Sequence, residues 1–162
     1  MELTLSREFY PAGRAPVSRQ KICALESAMM EQVPKEDLMS VEDRAGHYFA
    51  PGLYCREFQL NAGEVVVGKI HKHAHLITLV RGDVEIVDEF DRQSISGPKT
   101  WVSTPGVKRV VYARSDALFL TFHPTKETDL AKIEEHVIAP DYASLDSFLS
   151  NIALTSDKEI VL

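Results

Sequence analysis

Gly63-Glu64-Val65-Val66-Val67-Gly68-Lys69-Ile70-His71-Lys72-His73-Ala74-His75-Leu76-Ile77-Thr78-Leu79-Val80-Arg81-Gly82 is the stretch on which the fold turns. On one straight strand, at ~3.3 Å per residue, His71 and His75 would stand about 13 Å apart, too far to share an ion. A three-residue loop at Lys72-His73-Ala74 instead turns a strand Glu64–His71 back onto a strand His75–Arg81. The two imidazoles then face each other across a ladder, with Cβ atoms about 4.5–5.5 Å apart. At that separation they converge on one ion at ~2.1 Å. The alternation agrees: Val65, Val67 and Lys69 share the face of His71, and Ile77 and Leu79 share the face of His75. That face is apolar at depth and polar at one end, as a barrel with a pocket at its mouth requires. Val66, Ile70, Leu76, Thr78 and Val80 make the opposite face apolar as well, so terminal helices or another subunit must cover it.

Residues 47–124 continue in the same style. Short runs rich in β-branched and aromatic residues predict strands at Leu53–Leu60, Glu64–His71, His75–Arg81, Asp83–Phe90, Lys99–Thr104, Val107–Ala113 and Ala117–His123. Turn signals separate them, among them Arg81-Gly82-Asp83, Ser96-Gly97-Pro98, Pro105-Gly106 and Arg114-Ser115-Asp116. Strands in such number with no helix between them predict a mainly β sandwich, jelly roll or barrel.

Two helical arms flank this core. In the N-terminal arm, residues 1–46, Ser18 is placed to cap a helix from Arg19 to Gln32, with Ile22, Leu25, Ala28 and Met29 at helical spacing and Pro34 beyond its end. It packs either on its own barrel or on a neighbouring subunit. In residues 125–162, Thr128 or Asp129 starts one helix that Pro140 stops, and Ser144 or Asp146 starts another. These helices are expected to cover a barrel face, an edge strand or a neighbour.

Composition narrows the function classes. The chain has 162 residues, which suits one domain plus short arms. Its 24 acidic against 18 basic residues, and the lack of any basic run, argue against nucleic-acid binding. Two cysteines, Cys23 and Cys55, are too few for a secreted disulfide scaffold, so a cytoplasmic setting is expected. No apolar h-region opens the chain and no run approaches the ~18 residues of a membrane span, so neither secretion nor a membrane partner is expected.

The His-containing stretch resembles the first motif of the cupins: Gly, five residues, His, one residue, His, three or four residues, Glu, six residues, Gly. Gly63, His71 and Gly82 keep that frame, while Lys69 stands at the first His and His75 at the Glu. In Thr104-Pro105-Gly106-Val107-Lys108-Arg109 the second motif keeps its Gly, but Arg109 replaces its His. The likeness covers about residues 50–124. The runs His47-Tyr48-Phe49-Ala50-Pro51-Gly52-Leu53-Tyr54 and Gly68-Lys69-Ile70-His71 also look like small cupin-like proteins of tailed phages and prophages. The resemblance implies a single cupin barrel, a double-stranded β-helix jelly roll.

Three uses of the pocket stay open. In the first, His71 and His75, joined by His123 or His47, hold a metal; all-imidazole ligation suits Zn, Ni, Fe or Cu over Mg or Ca. A turn at Arg114–Asp116 would bring His123 opposite Val107, on the face of Arg109. In the second, Lys69, His71, His75 and Arg109 line an anion pocket, with Arg109 as a bidentate fork. In the third, the motif is a relic with no cofactor, and the two cations snorkel to the rim.

Other candidates carry less. Cys55 reads as inert strand packing. Pro105-Gly106 is a turn and no phosphate loop. Glu57 and Glu85 read as solvated strand carboxylates, and Trp101, Phe119 and Phe122 as core or interface. His73 sits at a solvated loop tip. Two function classes follow. One is a phage-type binding or structural accessory module, homo-oligomeric and associated with other virion proteins. The other is a His-ligated metal enzyme of dioxygenase or sugar-isomerase type.

Overall fold

Burial alternates strictly along two long strands, and that alternation builds the barrel wall. A computed structural model describes residues 19–34 and 41–156. Strands β1 (Gly46–Ala50), β2 (Leu53–Leu60), β5 (His75–Arg81), β8 (Lys99–Ser103) and β10 (Ala117–Pro124) form one antiparallel sheet in the order β1-β2-β10-β5-β8. Strands β3 (Val65–Val67), β6 (Asp83–Val87), β7 (Arg92–Ser96) and β9 (Val110–Ala113) form a second in the order β3-β9-β6-β7. A short pair, β4 (Ile70–His71) with β11 (Ile138–Ala139), closes one end. The chain is mainly β, a jelly-roll barrel with flanking helices.

The register stacks the inward side chains in levels. Phe58, Phe119 and Leu79 lie side by side across β2, β10 and β5, with the rings of Phe58 and Phe119 stacked at 4.9 Å. They meet Val84, Ile86, Ile95 and Val111 of the facing sheet in the main core. One level up lie Arg56, Thr121, Ile77 and Trp101. The next level holds Tyr54 beside His123, and His75 beside Ser103. The lumen thus changes from apolar to polar over three levels.

Helix α1 (Arg19–Gln32) runs as its apolar spacing predicts and lies on its own barrel. Ile22 is fully buried, while Leu25 is 40% exposed, so a single apolar anchor is supplemented by ion pairs. Arg19 donates through Nε (2.6 Å) and Nη2 (2.8 Å) to the Glu89 carboxylate, and its guanidinium lies 4.3 Å from the centre of the Tyr142 ring. Glu26 meets the buried Lys108 ammonium at 2.7 Å. Ser18, the expected cap, lies outside the described residues. Helix α2 (Leu130–Val137) starts where Asp129 accepts from the Ala131 and Lys132 amides; Ile133 and Val137 pack on Tyr54. Helix α3 (Tyr142–Ser156) sends Leu145 against Ile70 and Ala139. Among the described residues no helix is long and apolar enough to cross a membrane.

Several expectations are corrected. The single strand Glu64–His71 breaks at Gly68-Lys69, where Gly68 N donates to Arg109 O (2.7 Å). The break changes the facing: Val66 packs inward and Val65 is 41% exposed. It also sends β4 to β11, so β4 and β5 are not paired in a ladder. The first C-terminal helix ends at Val137, before Pro140, because Ile138 and Ala139 are taken into β11. The second starts at Tyr142, with Asp141 Oδ1 accepting from Ser144 N (2.7 Å). Strands β1 and β7 were not anticipated; β7 is polar throughout except Ile95. Glu85 is not solvated. Arg92, Ser94 and Arg114 all donate to it, and those hydrogen bonds, from Arg92 first, hold its carboxyl down to about 2.

Gly82, the closing glycine of the His stretch, has φ +101°. A Cβ there would meet Asp116 O at 2.5 Å, so backbone sits where a side chain would go. Gly82→Ala is expected to lower stability by about 2 kcal/mol or more, since it adds a forbidden φ to a backbone clash. Urea unfolding midpoints measure this; an unchanged midpoint would show that the turn relaxes freely.

Candidate metal centre

Three strands deliver three imidazoles to one point. His75 opens β5, His123 comes near the end of β10, and His71 ends β4. The β10–β5 register pairs Phe122 with Leu76, which puts His123 and His75 one step further on, side by side. His71 arrives from β4, which a bend at residues 72–74 separates from β5. Lys72 N donates to Val137 O (2.8 Å), and His71 O accepts from Gly106 N (2.8 Å). Ring centres of His71 and His75 lie 4.1 Å apart, those of His75 and His123 4.6 Å, and those of His71 and His123 5.4 Å. One nitrogen from each ring lies within 4.8 Å of the other two.

Burial keeps these rings neutral. Desolvation first, then the neighbouring His75 and His123 rings and Arg109, pushes His71 down to about 2. Desolvation likewise brings His123 to about 3 and His75 to about 4. The His73 carbonyl accepts from His75 Nδ1 (3.3 Å), so the proton of neutral His75 sits on Nδ1. Its Nε2 is left as a lone-pair donor, buried and without a hydrogen-bond partner. A ring nitrogen fixed by a carbonyl on its other side is the ordinary outer support of a metal-ligating histidine. Three neutral imidazole donors with a stranded lone pair therefore fit a divalent transition ion.

The remaining expected residues separate. His47 donates or accepts at Nδ1 with the Tyr54 hydroxyl (2.8 Å), and Tyr54 in turn stacks on His123 at 5.9 Å. His47 thus supports the triad through Tyr54 and does not enter the ligand cluster. His73 is not solvated at a tip; it is half-buried between His136 (4.9 Å) and the edge of Phe148 (5.2 Å). His123 reaches the site beside β5, not opposite Val107, because β9 and β10 belong to different sheets. Lys69, His71, His75 and Arg109 all border a cavity of about 620 Å³. Lys69 Nζ, half-exposed, meets Glu134 Oε1 at 2.5 Å. Arg109 Nη1 donates to Ser103 Oγ (2.7 Å), with Asp88 3.7 Å from its Nε. Both cations therefore have acidic neighbours, which reduces the repulsion an ion would meet. Arg56 was missed. It borders the same cavity, and the alternation Tyr54, Arg56, Phe58, Leu60 was the signal that it faces inward.

The depressed values give acid sensitivity a sign. Unfolded imidazoles take up protons below 6.5, whereas the buried ones stay neutral down to about 4. The unfolded chain binds more protons in that window, so stability falls as pH falls through it and is level above. Each ring contributes up to about 1.4 kcal/mol per pH unit. Metal-free protein is expected to lose urea resistance steeply between about pH 6.5 and 4, and the His75→Gln variant less steeply. A midpoint that stays flat across that window would show that the rings titrate normally.

No protein-family model matches the chain, and no curated protein matches it. Solved structures do align. A cupin-2 domain-containing protein from Halorhodospira halophila has a TM-score of 0.47 at 18% identity, over 72% of this chain and 82% of that one. One from Shewanella frigidimarina has a TM-score of 0.44 at 12% identity, over 60% and 99%. A salicylate 1,2-dioxygenase from Pseudoaminobacter salicylatoxidans has a TM-score of 0.49 at 18% identity, over 73% of this chain but 36% of that one. None of these scores reaches 0.5; the fold stands on strand order and register, and the site on its own nitrogens.

Proposed function

We propose that the barrel is a cupin-like metal centre acting on a small molecule held in its lumen. His71, His75 and His123 would hold one Zn, Ni, Fe or Cu ion where they border the cavity. The carrying observation is the trio of neutral rings, His75 and His123 buried and His71 half-buried, with His75 Nε2 stranded beside the lumen. Bound there, the ion would supply Lewis acidity, or redox chemistry if it is Fe or Cu. The chain's own residues do the rest. The His73 carbonyl orients His75, Tyr54 braces His123, and Ile77, Trp101 and Phe119 give the lumen its apolar wall. This reading favours the metal-enzyme class. The phage accessory role rests on sequence likeness alone and draws no support from the comparisons.

The test is metal content and a cobalt spectrum. Protein purified without chelator is expected to carry about one equivalent of transition metal. Chelation should lower its melting temperature, and restoring ion at 100 times Kd should return about 2.7 kcal/mol. Co2+ added to the stripped protein should give visible ligand-field bands, lost in His71→Ala/His75→Ala and weakened in His123→Ala. Less than about a tenth of an equivalent, with no cobalt bands, would remove the metal reading.

A further inference from the structure

Facing inward from β2 are Tyr54, Arg56, Phe58 and Leu60. Three of these are what a barrel lining needs. The other is a permanent cation, set one level below His123 and level with Thr121. Its guanidinium carbon lies 5.4 Å from the centre of the Phe58 ring, at the boundary between the polar mouth and the apolar floor. A guanidinium drawn into a lumen gives up hydration, so its place there calls for a function. Arg109 borders the same volume, held at Nη1 by Ser103 Oγ (2.7 Å). Trp101 lies level with Arg56, and Phe58 and Phe119 one level below; all three line the cavity. The volume of about 620 Å³ is that of an ordinary small-molecule site.

Taking the imidazole site of the preceding reading as its other pole, we propose that this cavity selects an organic carboxylate with a ring-sized apolar body. The carboxylate lies against Arg56 and Arg109, whose planar forks match its two oxygens. The apolar body rests on Phe58, Trp101 and Phe119. A cationic ligand meets two guanidinium groups and is rejected. A bare inorganic anion leaves the apolar floor uncovered and forgoes the larger share of burial.

Trp101 is the one tryptophan of the chain, and it lines the cavity, so its fluorescence reports occupancy. Benzoate is titrated into metal-free and Co2+-loaded full-length protein, with benzamide and inorganic phosphate in parallel. Saturable quenching by benzoate is expected, with benzamide at least tenfold weaker, because only the anion gains charge-assisted hydrogen bonds. Arg56→Met should weaken benzoate about tenfold or more and leave benzamide unchanged, and Arg56→Lys should recover part of the loss. The proposal is overturned if benzamide matches benzoate, if Arg56→Met changes nothing, if phosphate displaces benzoate at equal concentration, or if no quenching occurs. Benzoate bound through Arg56 in protein that takes up no Co2+ would sink the metal reading alone. Co2+ bound in protein that ignores benzoate would sink this proposal alone.

Discussion

Strand β10 hydrogen-bonds to β2 on one side and to β5 on the other, and this pairing decides which side chains share a level of the lumen. With Thr121 beside both Arg56 and Ile77, His123 is carried next to Tyr54 and alongside His75. A slip of one residue would turn Phe122 inward and His123 outward, since the side-chain period is two. The apolar floor guards against that slip. Phe119 is buried between Phe58 and Leu79 and cannot leave the core without losing roughly 2–3 kcal/mol of burial. The packing at the bottom of the barrel therefore holds the imidazoles at its mouth.

The electrostatics of that mouth compensate for what the sequence substitutes. Where the cupin pattern has a histidine at 69 and another at 109, this chain carries cations. Each has an acidic neighbour on another element: Glu134 of α2 for Lys69, and Asp88 beyond β6 for Arg109. The third ring of the cluster is His123, on a strand to which the pattern assigns no ligand. Desolvation then keeps all three rings uncharged, so permanent positive charge lies around the donor set and not within it.

How much of this was legible follows from how local each signal is. The bounds of α1, β2 and β5 could be read from spacing, because alternation and helical period are properties of a single segment. The hairpin expected at residues 72–74 does not form: the chain bends there, but β4 and β5 are not neighbours in a sheet. The true partner of β4 could not be read, because Ile138 and Ala139 lie almost seventy residues away and look like the tail of a helix. Strand β7 escaped because its one buried residue, Ile95, gives no period to detect. The trio of histidines was named from a geometry that does not occur: the expected β4–β5 ladder and the expected facing of His123 and Val107 are both absent. The same rings meet through β10 and β11 instead. Arg56 was legible in principle, since alternation with Tyr54 and Phe58 places it inward, but an arginine in a strand is easily taken for surface.

The C-terminal helices matter to the site more than their distance in sequence suggests. His71 sits on a two-residue strand whose ladder partner is β11, and the next residue, Lys72, is held from both ends: its amide by Val137 O and its ammonium by Glu135 O (2.6 Å). The barrel strands alone fix His75 and His123, so two donors are built into the wall and the third is brought up by the end of α2. Ile133, Val137 and Leu145 anchor that end on Tyr54 and Ile70. An ion bound by all three rings would therefore join the C-terminal segment to the barrel across two separate small cores. Ligand binding and the docking of that segment are linked, because whatever favours one must favour the other by the same free energy.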